Sequence, residues 1–125
     1  MRSADPAAGG SVPRALDRGL FAAALAVSAF VLLWPTPPGE PLFPYADKLA
    51  HVVVFLAVAW TGSRAGLPVR ALGAGLLAYA VASEVIQETL LPDRSGDWTD
   101  VIADLAGTGL GLLVARSRRS IERAR

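Results

Sequence analysis

The sequence predicts an all-α, polytopic membrane protein: a bundle of four transmembrane helices with both termini on the cytoplasmic side. Three observations carry that expectation. Of the 125 residues, 53% are hydrophobic and only 18% are charged, whereas a soluble chain carries roughly 25% charged residues. The apolar residues gather into four runs separated by breaks rich in Gly and Pro, and nowhere does the strict alternation of a strand persist. The basic residues are sorted between those breaks by loop parity, which a soluble bundle has no reason to do.

The first run, residues 19–34, holds no charge and is closed by Pro35, Thr36, Pro37 and Pro38. Sixteen helical residues reach about 24 Å, short of a hydrocarbon core of roughly 30 Å. Adding Ala15, Leu16 and a snorkelling Arg18 closes that gap and gives a helix over about 15–34. The polar stretch before the run is long and no small-x-small site follows Trp34, so a first span is expected rather than a secretory signal. The second helix is expected over about 46–62, the third over 71–91, ending at Pro92, and the fourth over 98–115, ending at the basic tail. The breaks at 62–70 and 92–97 carry Gly66, Pro68 and Gly96, as short turns between antiparallel helices do. Residues 1–13 read as a flexible cytoplasmic tail, 14–115 as the transmembrane domain and 116–125 as a basic, flexible cytoplasmic tail.

Orientation follows from the cations. Arg2, Arg14, Arg18, Arg64, Arg70, Arg116, Arg118, Arg119, Arg123 and Arg125 fall on one side if the chain crosses four times, and only Lys48 and Arg94 on the other. That is the positive-inside bias of a bacterial inner (plasma) membrane protein. Trp34, Phe43, Tyr45 and Trp98 sit at the expected outer boundary, where amphipathic rings favour the headgroups.

The acids mirror this pattern. Glu40, Asp47, Glu88, Asp93, Asp97 and Asp100 lie at or near the outer face, and Glu40, Glu88 and Asp93 read as a solvated rim. His51, Glu84 and Asp104 lie roughly 9 to 11 Å beneath the outer boundary, on three different helices. An ionised group at the centre of a membrane helix costs at least ~2.5–3.5 kcal/mol, so such residues face the bundle interior and find partners. Asp47 and His51 are four apart, as are Asp100 and Asp104, while Glu84 and Gln87 are three apart, so each pair shares a helix face. Gly107 and Gly111 continue the aspartate stripe as a small-residue face for close helix packing. The cluster is expected to gather His51, Glu84 and Asp104, with Asp47, Gln87 and Asp100 above them. Either a polar knot that fixes helix register or a pocket open to the outside satisfies this pattern.

The ordered set Asp47-Lys48-x-x-His51 with Phe55, Glu84-x-x-Gln87, Pro92-x-Arg94 and Asp100-x-x-x-Asp104-x-x-Gly107-x-x-x-Gly111 resembles the VanZ-like family of bacterial membrane proteins. The resemblance spans residues 47–111, about half the chain. It implies a four-helix membrane protein, and the family's namesake is linked to reduced sensitivity to the glycopeptide teicoplanin. No settled activity comes with it. The position of Asp104 is often Asn in the family, so this chain carries an added carboxylate there.

Function divides three ways on these residues. The first reading is a cell-envelope protein whose outward polar pocket, built from Asp47, Lys48, His51, Glu84, Gln87, Arg94, Asp100 and Asp104, binds a lipid-linked or cell-wall-derived ligand. Lys48 and Arg94 would meet an anionic group. The second is a membrane-embedded enzyme with His51, Glu84 and Asp104 as catalytic candidates, His51 acting as a carboxylate-oriented general base. The same set could hold a divalent cation, with Mg²⁺, Ca²⁺ or Mn²⁺ favoured over Zn²⁺ by the oxygen donors, although the sequence assigns neither a metal nor another cofactor. Ser83, Ser95, Thr89 and Thr99 carry no nucleophile motif, and the chain has no cysteine. The third is a non-catalytic assembly or regulatory subunit, suggested by the small-residue stripe. The expected partners are the lipid bilayer and an envelope lipid or cell-wall precursor. Nucleic acid is not expected, because topology and anionic lipid account for the tail arginines.

Overall fold

The computed structural model describes residues 11–35 and 39–125, with the side chains of 11–13 excepted. The expected tail over residues 1–10 and the stop at 36–38 lie outside the described residues. Four helices make up the rest: α1 (Ser11–Leu33), α2 (Ala46–Arg64), α3 (Val69–Leu90) and α4 (Trp98–Ala124). Residues 11–13, assigned from the sequence to the tail, are therefore helical.

The breaks are built from local chemistry. At the end of α2, Gly66 adopts φ +90°, its amide donates to Ser63 O, and the Leu67 amide donates to Gly62 O. That is a Schellman closure, in which a left-handed Gly lets the last carbonyls of the helix find donors. Pro68 then precedes α3 in an extended conformation. Asp97 caps α4, its carboxylate accepting from the Thr99 amide at 2.9 Å and the Thr99 hydroxyl at 2.6 Å.

α1, α3 and α4 are each long and apolar enough to cross a membrane. Their outer faces are apolar and bare: Val27 and Phe30 on α1, Val81 and Val85 on α3, and Ile102 and Leu113 on α4 are all about half exposed or more. Soluble monomers rarely expose apolar side chains over so many helix faces; in lipid such faces are the solvent-facing surface. The chain is a multi-pass membrane protein. α2 is different. Asp47, Lys48 and His51 occupy its first two turns, and it packs against α1, α4 and α3.

Around the bundle the helices run α1, α2, α4, α3. The tightest pairing is α2 with α4 rather than with its sequence neighbour α3. Glycine explains this. A Cβ at Gly107 would press into the backbone of Val52, and one at Gly111 would lie 2.5 Å from Leu56 O. The two backbones touch with no side chain between them, so the small-residue stripe is taken up within the chain. Beneath that contact Phe55, Val58 and Ala59 of α2 meet Leu32 of α1 and Leu72, Leu76 and Ala80 of α3 in the core.

One boundary differs markedly from expectation. Residues 116–124, read from sequence as a flexible tail, continue α4 as helix. No Gly or Pro interrupts them, and a helix need not stop where the hydrocarbon does. Arg119 also binds this stretch back to the bundle, donating to Ser63 O and Ser63 Oγ, both at 2.7 Å. Nearby, Arg64 Nε lies 3.0 Å from Asp17 Oδ1 and its guanidinium sits 5.3 Å from the Trp60 ring centroid. The starts of α1 and α3 and the ends of α2 and α4 thus share one arginine-rich end.

Glycines two residues apart on α4 give a controlled test. A Cβ added at Gly109 would meet nothing within 4 Å, and Gly to Ala in a helix ordinarily gains about 1 kcal/mol. Gly109→Ala should therefore unfold at or slightly above the parent temperature in detergent. Gly107→Ala should instead lose roughly 1–3 kcal/mol through overpacking. Equal melting temperatures for the two variants would refute the α2–α4 contact.

Candidate functional site

At the end of the bundle opposite Arg64 and Arg119, α2 presents Asp47, Lys48 and His51, α4 presents Asp100 and Asp104, and α3 presents Glu84. His51 Nδ1 is 2.7 Å from Asp104 Oδ1. A carboxylate can only accept, so Nδ1–H donates and Nε2 is turned toward Asp100 Oδ2, 3.7 Å away. Asp104 is fully buried, and Asp100 and His51 are each only 7% exposed.

Above them Lys48 Nζ donates to Asp100 Oδ1 at 2.8 Å and to Asp97 Oδ2 at 2.9 Å. The cluster reaches the surface here, with the Lys48 and Asp97 side chains 26% and 44% exposed. Asp47 stands outside it, largely exposed, 3.8 Å from the same ammonium. The Thr99 hydroxyl, followed by Lys48, holds the Asp97 carboxyl well below the usual carboxylate range.

The loop between α3 and α4 is held to this layer by acids of α3. Glu84 Oε2 accepts from the Asp97 amide at 2.7 Å and Glu88 Oε2 from the Gly96 amide at 2.6 Å. Glu84 therefore joins the cluster through the loop backbone and makes no hydrogen bond to His51 or Asp104. Its other oxygen, Oε1, is buried without a partner, and so is Asp104 Oδ2.

Two residues assigned to the site from sequence are engaged elsewhere. Gln87 Nε2 donates to Leu32 O at 2.7 Å. Arg94 donates to Val31 O, Leu32 O and Trp34 O at 3.0, 3.2 and 3.2 Å. Both satisfy carbonyls at the end of α1, a favourable place for a cation because the helix terminus is partly negative. Asp100, expected above the cluster, lies in its middle.

Asp97 is the member of the cluster that the candidate set left out. It was legible as a cap, standing immediately before the first residue of α4 with Thr two positions on. Deeper in, Ser28 Oγ and Tyr79 Oη lie 3.0 Å apart and the Tyr79 ring stacks on Phe55 at 5.4 Å. No periodicity marks that pair, since neither residue carries a charge to betray it.

A cavity of about 440 Å³ lies at the other end, lined by Ser63, Val69, Gly109, Leu112, Leu113, Arg116 and Arg119. It touches none of the cluster.

A protein-family model described as VanZ/LLP1 matches residues 13–119, and the chain belongs to that family. The match takes in the whole cluster and most of all four helices. No curated protein and no solved structure matches the chain.

Asp97→Asn keeps a side chain able to cap α4 but loses the charge that Lys48 meets. A depressed carboxyl pKa stabilises the fold fully above the unfolded value of 3.8, and that contribution fades only as pH falls toward the folded value. The melting temperature lost in Asp97→Asn should thus be the same at about pH 7 and about pH 5, and smaller near pH 3. A loss that grows on acidification would contradict the assigned sign.

Proposed function

Taking VanZ/LLP1 membership as the premise, we propose that this protein crosses the bacterial plasma membrane four times and keeps both termini in the cytoplasm. It presents the Lys48–Asp97–Asp100 layer outward, as the mouth of a site for a lipid-linked or cell-wall-derived ligand. In this reading α2 is the fourth crossing, shielded from lipid by its neighbours. Residues 14–115 form the transmembrane domain, and the helical residues 116–124 extend into the cytoplasm.

The observation that carries the proposal is the polar gradient at one end of the bundle. Half-exposed Asp97 and partly exposed Lys48 lead through Asp100 and His51 to fully buried Asp104. A knot that served only to hold register would need no route to the surface. Carboxylates outnumber Lys48, so the layer favours a ligand that brings positive charge or donors, such as the amines of cell-wall peptides, over bare phosphate.

A second reading, hydrolysis by His51, is favoured by one feature: Asp104 orients the imidazole as the partner carboxylate does for a general base. The nearby hydroxyls supply no nucleophile. Ser83 and Thr89 donate to carbonyls of their own helix, and Thr99 donates to Asp97. Water would have to attack.

Reporter fusions after Glu40 and near Ser95 should read as exterior, and those near Gly66 and after Arg125 as cytoplasmic. An exterior carboxy terminus would refute the four-crossing arrangement. Overproduction in a susceptible host should change sensitivity to lipophilic glycopeptides more than to ribosome inhibitors. Glu84→Gln should keep membrane yield and abolish that change. Equal shifts for both drug classes, or an unaltered phenotype in Glu84→Gln at normal yield, would count against the ligand site.

A further inference from the structure

We propose that the buried half of this cluster is a divalent-cation centre, with His51 Nε2, Asp100 Oδ2 and a Glu84 carboxylate oxygen as its protein ligands. The proposal rests on the site described above but not on the identity of its envelope ligand.

Geometry is the first support. His51, Glu84 and Asp100 each offer a donor atom, and these atoms lie within 4.8 Å of one another. They come from three helices, and each residue is more than nine-tenths buried. Donor atoms that share one metal at about 2.4 Å can lie no farther apart than about twice that distance, a limit these three meet.

The second support is what the cluster leaves unsatisfied. Glu84 Oε1 is buried with no hydrogen-bond partner, a costly state for a carboxylate unless a cation faces it. Charge points the same way. Glu84, Asp100 and Asp104 are buried acids, and Lys48 alone reaches them with a fixed positive charge. Ionised, they leave a deficit of at least two positive charges, since Lys48 is also shared with Asp97; a divalent ion offsets two of these and an imidazolium only one.

The third support is the orientation of His51. Its Nδ1–H is committed to Asp104, so in the neutral ring the Nε2 lone pair faces the other donors. A carboxylate behind a ligating imidazole is the usual outer-shell arrangement, fixing the tautomer and raising ligand basicity. Asp104 thus serves as the positioning residue and Asp100 as the bridge between the ion and Lys48. One nitrogen among oxygens disfavours Mg²⁺ and Ca²⁺, which prefer all-oxygen shells, and suits Mn²⁺ better.

The test uses the full chain in lipid nanodiscs, stripped with chelator and titrated with Mn²⁺. A single Mn²⁺ should bind per chain, raise the melting temperature, and show ¹⁴N coupling from an imidazole in pulsed electron paramagnetic resonance. Glu84→Gln, folded as judged by helicity and a monodisperse elution, should weaken binding by about tenfold or more, while Asp47→Asn should not. Wild-type protein that binds no Mn²⁺, or binds it without ¹⁴N coupling, overturns the proposal. Loss of the glycopeptide phenotype bears only on the ligand reading, because Mn²⁺ uptake is measured without any envelope component.

Discussion

The backbone contact between α2 and α4 is the constraint on which the rest of this molecule depends. With no side chain at Gly107 or Gly111, the helices approach until Val52 and Leu56 carbonyls of one lie against Cα atoms of the other. At that separation, residues up to a turn closer to the start of each helix must meet as well. His51 stands one residue before Val52, and Asp104 one turn before Gly107, so the short His51–Asp104 bond follows from the glycine contact. Membrane helices gain little hydrophobic drive from pairing with one another, and close packing of small residues supplies the association instead. The polar groups then select one register from those that the glycines permit.

Polarity in the cluster is layered. The surface layer is an ion-paired lysine shared by Asp97 and Asp100, the middle is imidazole and carboxylate, and the deepest layer is the neutral Ser28–Tyr79 pair. Each step inward replaces a charged contact by one that costs less to remove from water. The loop between α3 and α4 closes the top through backbone amides given to Glu84 and Glu88. Those two acids are therefore structural on one oxygen whatever they do on the other.

Much of this could be read from the chain before any coordinates. Apolar runs and their Gly and Pro breaks located four helices, and i, i+4 spacing placed Asp100 above Asp104 and Asp47 above His51. The differences between expectation and structure have physical causes. Arg116 marks where hydrocarbon would end, but helical hydrogen bonding continues to Ala124 because nothing in residues 116–124 opposes it. Arg94 and Gln87 look like ligand-binding groups in sequence, where the unsatisfied carbonyls at the end of α1 are invisible. Asp47 shares a helix face with His51, yet it stands where that face has already emerged from the bundle. Among the described residues α2 is not one of the helices long and apolar enough to cross a membrane, and enclosure by its neighbours relaxes the demand that it be apolar.

The length of α4 has a mechanical consequence. Its 27 residues make a rod of about 40 Å, against a hydrocarbon thickness near 30 Å. This rod is riveted to α2 at three heights: by the lysine layer, by the glycines, and by Arg119 on Ser63. A bilayer that thins or thickens cannot shear the two rods past one another without breaking a rivet. Adjustment to membrane thickness falls instead to whole-body tilt, or to α1 and α3 leaning against a stiff pair. The cluster at one end of the rods is thereby insulated from the elasticity of the lipid around it.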